Sequence, residues 1–206
     1  MVTGCAEMMI SADAAQAMIL QFCEGDTQSP HYMKHAIQCC VLSERGDYWI
    51  IRANSEAYVV HGRSEYCYVG VNAFLLDVLS GKIETVVSGN RVSHYLQDKY
   101  DVRDAAGQAY VLEPAFERSD KAAVVRLRQT LACRLPHALA LLSPEHRSWL
   151  TGQRRVMQWA QRELMANGVA TEVMLRPGSG GALHIPEQIW HWDLLLAELK
   201  RLPGLV

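Results

Sequence analysis

His31 and His35 stand four residues apart, the spacing at which two histidines on one helical face can ligate a single metal ion. Metalloprotease chemistry also needs a glutamate directly after the first histidine, and Tyr32 occupies that place. Pro30 precedes the pair and no helical period runs through it, so no metal is expected here. Cys39, Cys40 and Cys67 would each need an activating histidine to act as a nucleophile. No glycine turn leads any of them into a helix N-terminus, where a thiol is most easily ionised, so structural thiols are expected. Gly178-Ser179-Gly180-Gly181 lies between a strand-like and a helix-like run, the setting of a phosphate-binding loop. It lacks the lysine and hydroxyl residue of a P-loop and the glycine spacing of a dinucleotide site, and no G-x-S-x-G surrounds Ser179. It reads as a flexible link, and no cofactor is expected.

The carboxylates Glu44, Asp47, Glu56, Glu65 and Asp77 flank a series of apolar runs. Paired-carboxylate catalysis depends on closeness in space, which their order does not supply, and a solvated rim is the default for such charges. Trp190 and Trp192 bracket His191 and cannot share one face of a helix. Either both are buried by neighbouring elements, or one is core and the other an exposed interface anchor.

The elements that must position these residues centre on Asp47 to Gly89. This stretch is rich in β-branched and aromatic residues and is punctuated by Arg45-Gly46-Asp47, His61-Gly62-Arg63 and Ser80-Gly81-Lys82, which predicts an antiparallel meander. Ala57–Val60, Glu65–Val71, Phe74–Leu79 and Ile83–Val87 are its strand-length runs, with Tyr66 and Tyr68 on one face of the second and Cys67 and Val69 on the other. Ahead of it, Ser11 caps a helix that Gly25 ends, with Ala14, Met18 and Phe22 on one side and Ala15 and Ile19 beside them. A strand over Ala36–Ser43 follows the loop at 26–30. Val92–Lys99 suits a short helix, and Ala109–Leu112 is one more apolar run before Pro114.

From Ser119 the period becomes helical. Ser119 is expected to cap a helix that Pro136 closes, with Val124, Leu127, Leu131 and Leu135 along one side. Ser143-Pro144-Glu145 predicts the start of another, running to Ala166 with Trp149, Val156, Trp159 and Leu164 on its apolar side. Thr171–Leu175 is a short strand, and Pro186 opens a last helix that Pro203-Gly204 ends. The expected fold class is α+β: an N-terminal helix packed on an antiparallel β-meander, followed by a mostly helical C-terminal region. The expected division is an α+β domain at 1–114 and a mostly helical region with one short strand at 115–206.

Half of the 206 residues are hydrophobic, enough for a core. With 20 basic and 22 acidic residues the formal charge is −2, which argues against nucleic acid as the main partner. No apolar run reaches membrane-spanning length, so no membrane association is expected. Val2-Thr3-Gly4-Cys5 looks like a lipoprotein cleavage box but lacks the basic start and apolar run of a signal peptide. The six cysteines form no regular framework, which suits reduced thiols and a cytoplasmic location.

The order of residues in the meander resembles the YrhB and immunity protein 35 family of small bacterial proteins. The resemblance rests on Trp49, Asn54-Ser55, Tyr58, Gly70, Leu75-Leu76-Asp77 and Ser80-Gly81, and covers about residues 11 to 100. It implies an immunity protein in interbacterial competition that binds a cognate toxin or effector and blocks it by direct contact, with no catalytic residues of its own. A tight inhibitor needs a buried anchor cluster with complementary charge around it. The aromatic candidates for that contact are Tyr48, Tyr58, Tyr66 and Tyr68, and the acidic ones Glu44, Asp47, Glu56 and Glu65. Two rival expectations stand beside this one. The first is a chaperone or adaptor for a secreted effector, motivated by the extra helices and the tryptophan pair. The second is a small enzyme using Cys67, Ser179 or His184.

Overall fold

The computed structural model describes residues 9–25, 28–29 and 32–202. Val2–Cys5, His31 of the histidine pair, most of the loop at 26–30 and Pro203-Gly204 lie outside the described residues. The chain forms two compact units, Met1–Leu96 and Gln97–Val206.

The first unit opens with helix α1, Ala12–Glu24. Ser11 Oγ accepts from the Ala14 amide at 3.3 Å, and Gly25 ends the helix at φ +59°, a conformation that glycine adopts at little cost. Its buried seam is Ala15 and Ile19, with Met18 and Cys23 half-buried. Ala14 and Phe22, expected on that seam, are exposed instead. α1 lies against strands β1, His35–Leu42, and β2, Tyr48–Ser55. With β3, Val71–Asp77, and β4, Ile83–Val87, these make an antiparallel sheet in the order β1-β2-β3-β4. Register sets Trp49 opposite Leu76, and Ile51 opposite Phe74, so all four point toward α1. Ala73, Leu75 and Val86 on the opposite face are buried as well.

Two expected strands of the meander are absent. Ala57–Val60 is helical, because Ser55 caps a single turn, α2, at Glu56–Val59. Glu65–Val71 is a 3₁₀ turn at Ser64–Tyr66 and then extended loop, with β3 starting only at Val71. β-branched and aromatic content favours strand but does not compel it without a partner strand in register.

Helix α3, Val92–Asp104, carries the chain across the boundary at Leu96 and Gln97. The second unit was expected to be mostly helical; it contains a second four-stranded sheet. Its strands are β5, Ala109–Pro114; β6, Leu150–Thr151; β7, Thr171–Arg176; and β8, Leu183–His184, in the order β7-β5-β6-β8. β5 pairs antiparallel with β6 and β7, so it belongs here and not to the meander, which moves the division from 114 to 96. Its helices are α4, Lys121–Leu131; α5, Leu135–Ala140; α6, Arg154–Ala166; and α7, Trp192–Leu199. Asp120, not Ser119, caps α4. Pro136 sits in the first turn of α5 rather than ending a helix, as its fixed φ allows. The expected helix from Ser143 starts only at Arg154, because Trp149 to Thr151 are drawn into the sheet: the Trp149 amide donates to Leu112 at 3.0 Å, and the indole to Leu141 at 2.9 Å. Around Trp149 lies the larger core, with Leu112, Leu127, Leu150, Met157 and Leu164 fully buried.

Candidate functional site

β2 spans roughly 23 Å at about 3.3 Å per residue, and the expected contact residues divide between its two ends. Glu44, Asp47 and Tyr48 sit at the β1–β2 turn. Ser43 Oγ donates to Asp47 Oδ1 at 2.9 Å and accepts from the Asp47 and Tyr48 amides, so this group shapes a hairpin. Glu56, Tyr58, Glu65, Tyr66 and Tyr68 gather at the far end, where Asn54 and Ser55 stand.

There a loop is held from beneath by two side chains. Asn54 Nδ2 donates to the Tyr68 carbonyl at 3.0 Å, and Asn54 Oδ1 accepts from the Tyr68 amide at 2.7 Å and the Ser55 amide at 2.8 Å. Ser55 Oγ donates to the Tyr66 carbonyl at 2.6 Å and accepts from the Tyr58 amide at 3.2 Å. Asn54 and Ser55 are themselves buried. Main-chain groups that would otherwise hold water are thus satisfied from the sheet, and the loop is fixed without a strand partner. Its side chains face solvent: Val69 is 82 % exposed, Tyr68 60 % and Tyr66 43 %, and Val60 at the end of α2 is 60 % exposed. Lys34 Nζ pairs with Glu56 at 2.7 Å on the nearby surface, which leaves Glu56 less charge to offer a partner.

Beside this loop an apolar groove of about 290 Å³ opens between the end of α1 and the sheet. Ala53 and Phe74 form its floor, and Phe22, Cys23 and Val71 its walls. Phe22 meets Phe74 edge to face at 5.9 Å, an arrangement aromatic rings favour. Glu24 stands on its lip, accepting from the His35 amide at 3.0 Å and the Tyr32 hydroxyl at 3.2 Å. Burial, and then the neighbouring Glu24 carboxylate, push the Cys23 thiol up to about 11, so it stays protonated and inert at neutral pH. Tyr68 and Thr85 complete the opening.

Two clefts of the second unit hold ion pairs made within the fold. One, of about 390 Å³, contains Asp101, Arg154, Tyr110 and His184. Asp101 is buried and binds Arg154 Nη1 at 3.1 Å and Gln97 Nε2 at 2.9 Å. Asp98 beside it is pushed up by burial, against the opposing pull of Arg155. The other cleft, of about 750 Å³, contains Glu113, held at 2.8 and 2.6 Å by the Arg176 guanidinium and at 3.2 Å by Ser148 Oγ. Among the described residues no group of three metal-ligating side chains is close enough to hold a metal ion, and no helix is long and apolar enough to cross a membrane.

Comparison with known protein families, with curated proteins and with solved structures gives no match.

The residues that carry the family resemblance have local structural tasks. Trp49 Nε1 donates to the Ile10 carbonyl at 2.8 Å and pins the chain ahead of α1 to the sheet. Asp77 Oδ1 accepts from the Leu79 and Ser80 amides at 3.0 and 2.8 Å, and Gly70 and Gly81 take φ +106° and +69°. Phe22, Val60 and Val69 were not expected at the site. The glycines at 62 and 70 that bracket the loop were its signal, since each takes a positive φ that breaks strand geometry. The tryptophan pair resolves into a half-buried Trp192 against the second core and a 43 % exposed Trp190, which meets Trp159 at 5.6 Å and lies under Arg155.

Proposed function

We propose that this chain is an immunity protein that binds a cognate bacterial toxin or effector and neutralises it by direct contact, acting through surface complementarity and not through catalysis. The observation that carries this reading is the exposed Tyr66–Val69 loop, fastened to the sheet by Asn54 and Ser55 and adjoining an apolar groove. Exposed apolar patches mark docking surfaces, and one already held in its shape binds at a lower cost in ordering. A rigid patch loses little entropy on binding, and tyrosines are common anchors in tight interfaces. The resemblance of residues 11 to 100 to an immunity family supports the choice of a toxin as the partner. The contact residues are then Tyr66, Tyr68 and Val69, with Glu65 and Tyr58 on the same end of the sheet. Glu44, Asp47 and Tyr48 belong to the other end and are assigned no direct part.

The test is co-expression with the effector encoded by the adjacent gene. Growth should be rescued, and the purified pair should bind with nanomolar affinity, as tight inhibitors do. An adaptor would instead be required for export of the effector and would fail to rescue a poisoned cell. Absence of both binding and rescue sinks the proposal.

A further inference from the structure

The two outer strands of the first sheet are finished differently. On β1, the Ser43 amide donates to Tyr48 and the Glu56 amide to Lys34, each at 2.8 Å, which fixes the residues that bond inward. The outward amide of His35 is already taken by Glu24 Oε1 at 3.0 Å, and Gln38 is an extra residue that shifts the register between Ile37 and Cys39. A blocked amide and a bulge are two ways in which sheets close an edge against strand addition. β4 has neither. The Asp77 amide donates to Lys82 at 3.0 Å and the Ser88 amide to Gly70 at 2.9 Å, so Glu84 and Val86 bond inward to β3. Ile83, Thr85 and Val87 therefore turn their main-chain groups outward at an unbroken two-residue spacing. Of these groups, the Val87 carbonyl is taken, by the Asn90 amide at 3.0 Å. The irregularity in this pair, at Val71 and Ala73, adds its extra residue to β3 and leaves β4 regular.

The groove reaches this same edge at Thr85, which pairs with Phe74 of its floor. The geometry points to addition of an extended segment of the partner as a fifth strand on β4, with one large apolar side chain set into the groove; this rests on the binding function proposed above. Side chains of an added strand alternate in direction, so the residue opposite Thr85 shares the groove's face and its two neighbours do not. A volume of about 290 Å³ suits one such side chain. The Glu24 carboxylate on the lip is occupied by Tyr32 and His35, which favours an uncharged guest. A second copy of this chain fits less well. Antiparallel self-pairing centred on Thr85 faces threonine with threonine and leaves the groove empty, and the register one step toward Ile83 sets Glu84 against its own copy.

Thr85→Pro removes an outward N–H without touching a bond to β3, since proline is tolerated on an edge strand whose N–H faces solvent. Thr85→Lys keeps the N–H but places a charge at the mouth of the groove. The probe is the C-terminal domain of the effector encoded by the adjacent gene, titrated calorimetrically against the full chain, with amide hydrogen exchange on the wild-type complex. Both variants should keep the wild-type circular dichroism spectrum and lose at least about tenfold in affinity. In the wild-type complex the amides of Ile83, Thr85 and Val87 should gain protection. If Thr85→Pro does not fold, Thr85→Lys and the exchange pattern decide the matter. Unchanged affinity in the folded variants, with no new protection on β4, overturns the edge inference and leaves the immunity function standing. No binding by the wild-type chain means that the proposed function has failed and the inference with it. Dimerisation of the wild type alone, lost in Thr85→Pro, assigns the edge to a second copy and overturns it too.

Discussion

At the scale of single residues, Asn54 and Tyr68 have opposite tasks although they touch. Asn54 is buried and spends both ends of its amide on the main chain of Tyr68 and Ser55, whereas the Tyr68 side chain is 60 % exposed. Asn54→Ala removes the partner of the Ser55 and Tyr68 amides and of the Tyr68 carbonyl, and should destabilise the protein by about 1–3 kcal/mol in thermal or denaturant unfolding. Tyr68→Ala should change stability by no more than about 0.5 kcal/mol yet weaken partner binding by about 1–2 kcal/mol or more. The reverse pattern, with Tyr68→Ala unfolding the protein and leaving affinity intact, would make the loop a structural device only. The Asn-Ser step was visible in the sequence, but its purpose was not. An asparagine in a strand-like run gives no sign of which main-chain groups, 14 residues on, it will satisfy.

Among elements, the pairing of β5 with β7 is clamped by the Arg176 guanidinium on Glu113. Those hydrogen bonds outweigh the effect of burial and hold the Glu113 carboxyl below its ordinary value of 4.5. The group therefore ionises in the folded protein at a lower pH than in the unfolded chain. Its stabilisation is complete above pH 4.5 and is lost as pH falls through the depressed folded value. Glu113→Gln should cost about 1–2 kcal/mol at pH 7, discounted because Arg176 is partly exposed, and the gap to wild type should narrow below pH 4.5. Urea unfolding of both proteins between pH 3 and pH 7 checks this, and a constant gap would count against it. Local signals placed α1, β1 and β4 within a residue or so, because cap, glycine turn and alternation agreed there. They failed over 143–153, where a Ser-Pro-Glu start motif was overridden by the fit of Trp149 and Leu150 into the second core.

For the whole molecule, charge balance has a direct consequence. With a formal charge of −2 and an isoelectric point near 6.4, the protein carries little net repulsion between copies just below neutrality. Solubility should pass through a minimum near pH 6.4 and recover on either side, as light scattering across a pH series would record. A flat profile would show that local patches, and not net charge, govern association. The sequence by itself determined a mixed α+β chain and an N-terminal helix on a meander. Each of these follows from patterns within some twenty residues, where period and turn chemistry act directly. Only the tertiary structure decided that β5 joins a second sheet, and that the candidate contact residues fall at opposite ends of β2. It alone decided, too, that a groove opens beside a regular edge strand. Those outcomes depend on which distant strands pair and how large side chains fill the space between them, and no local pattern carries that information.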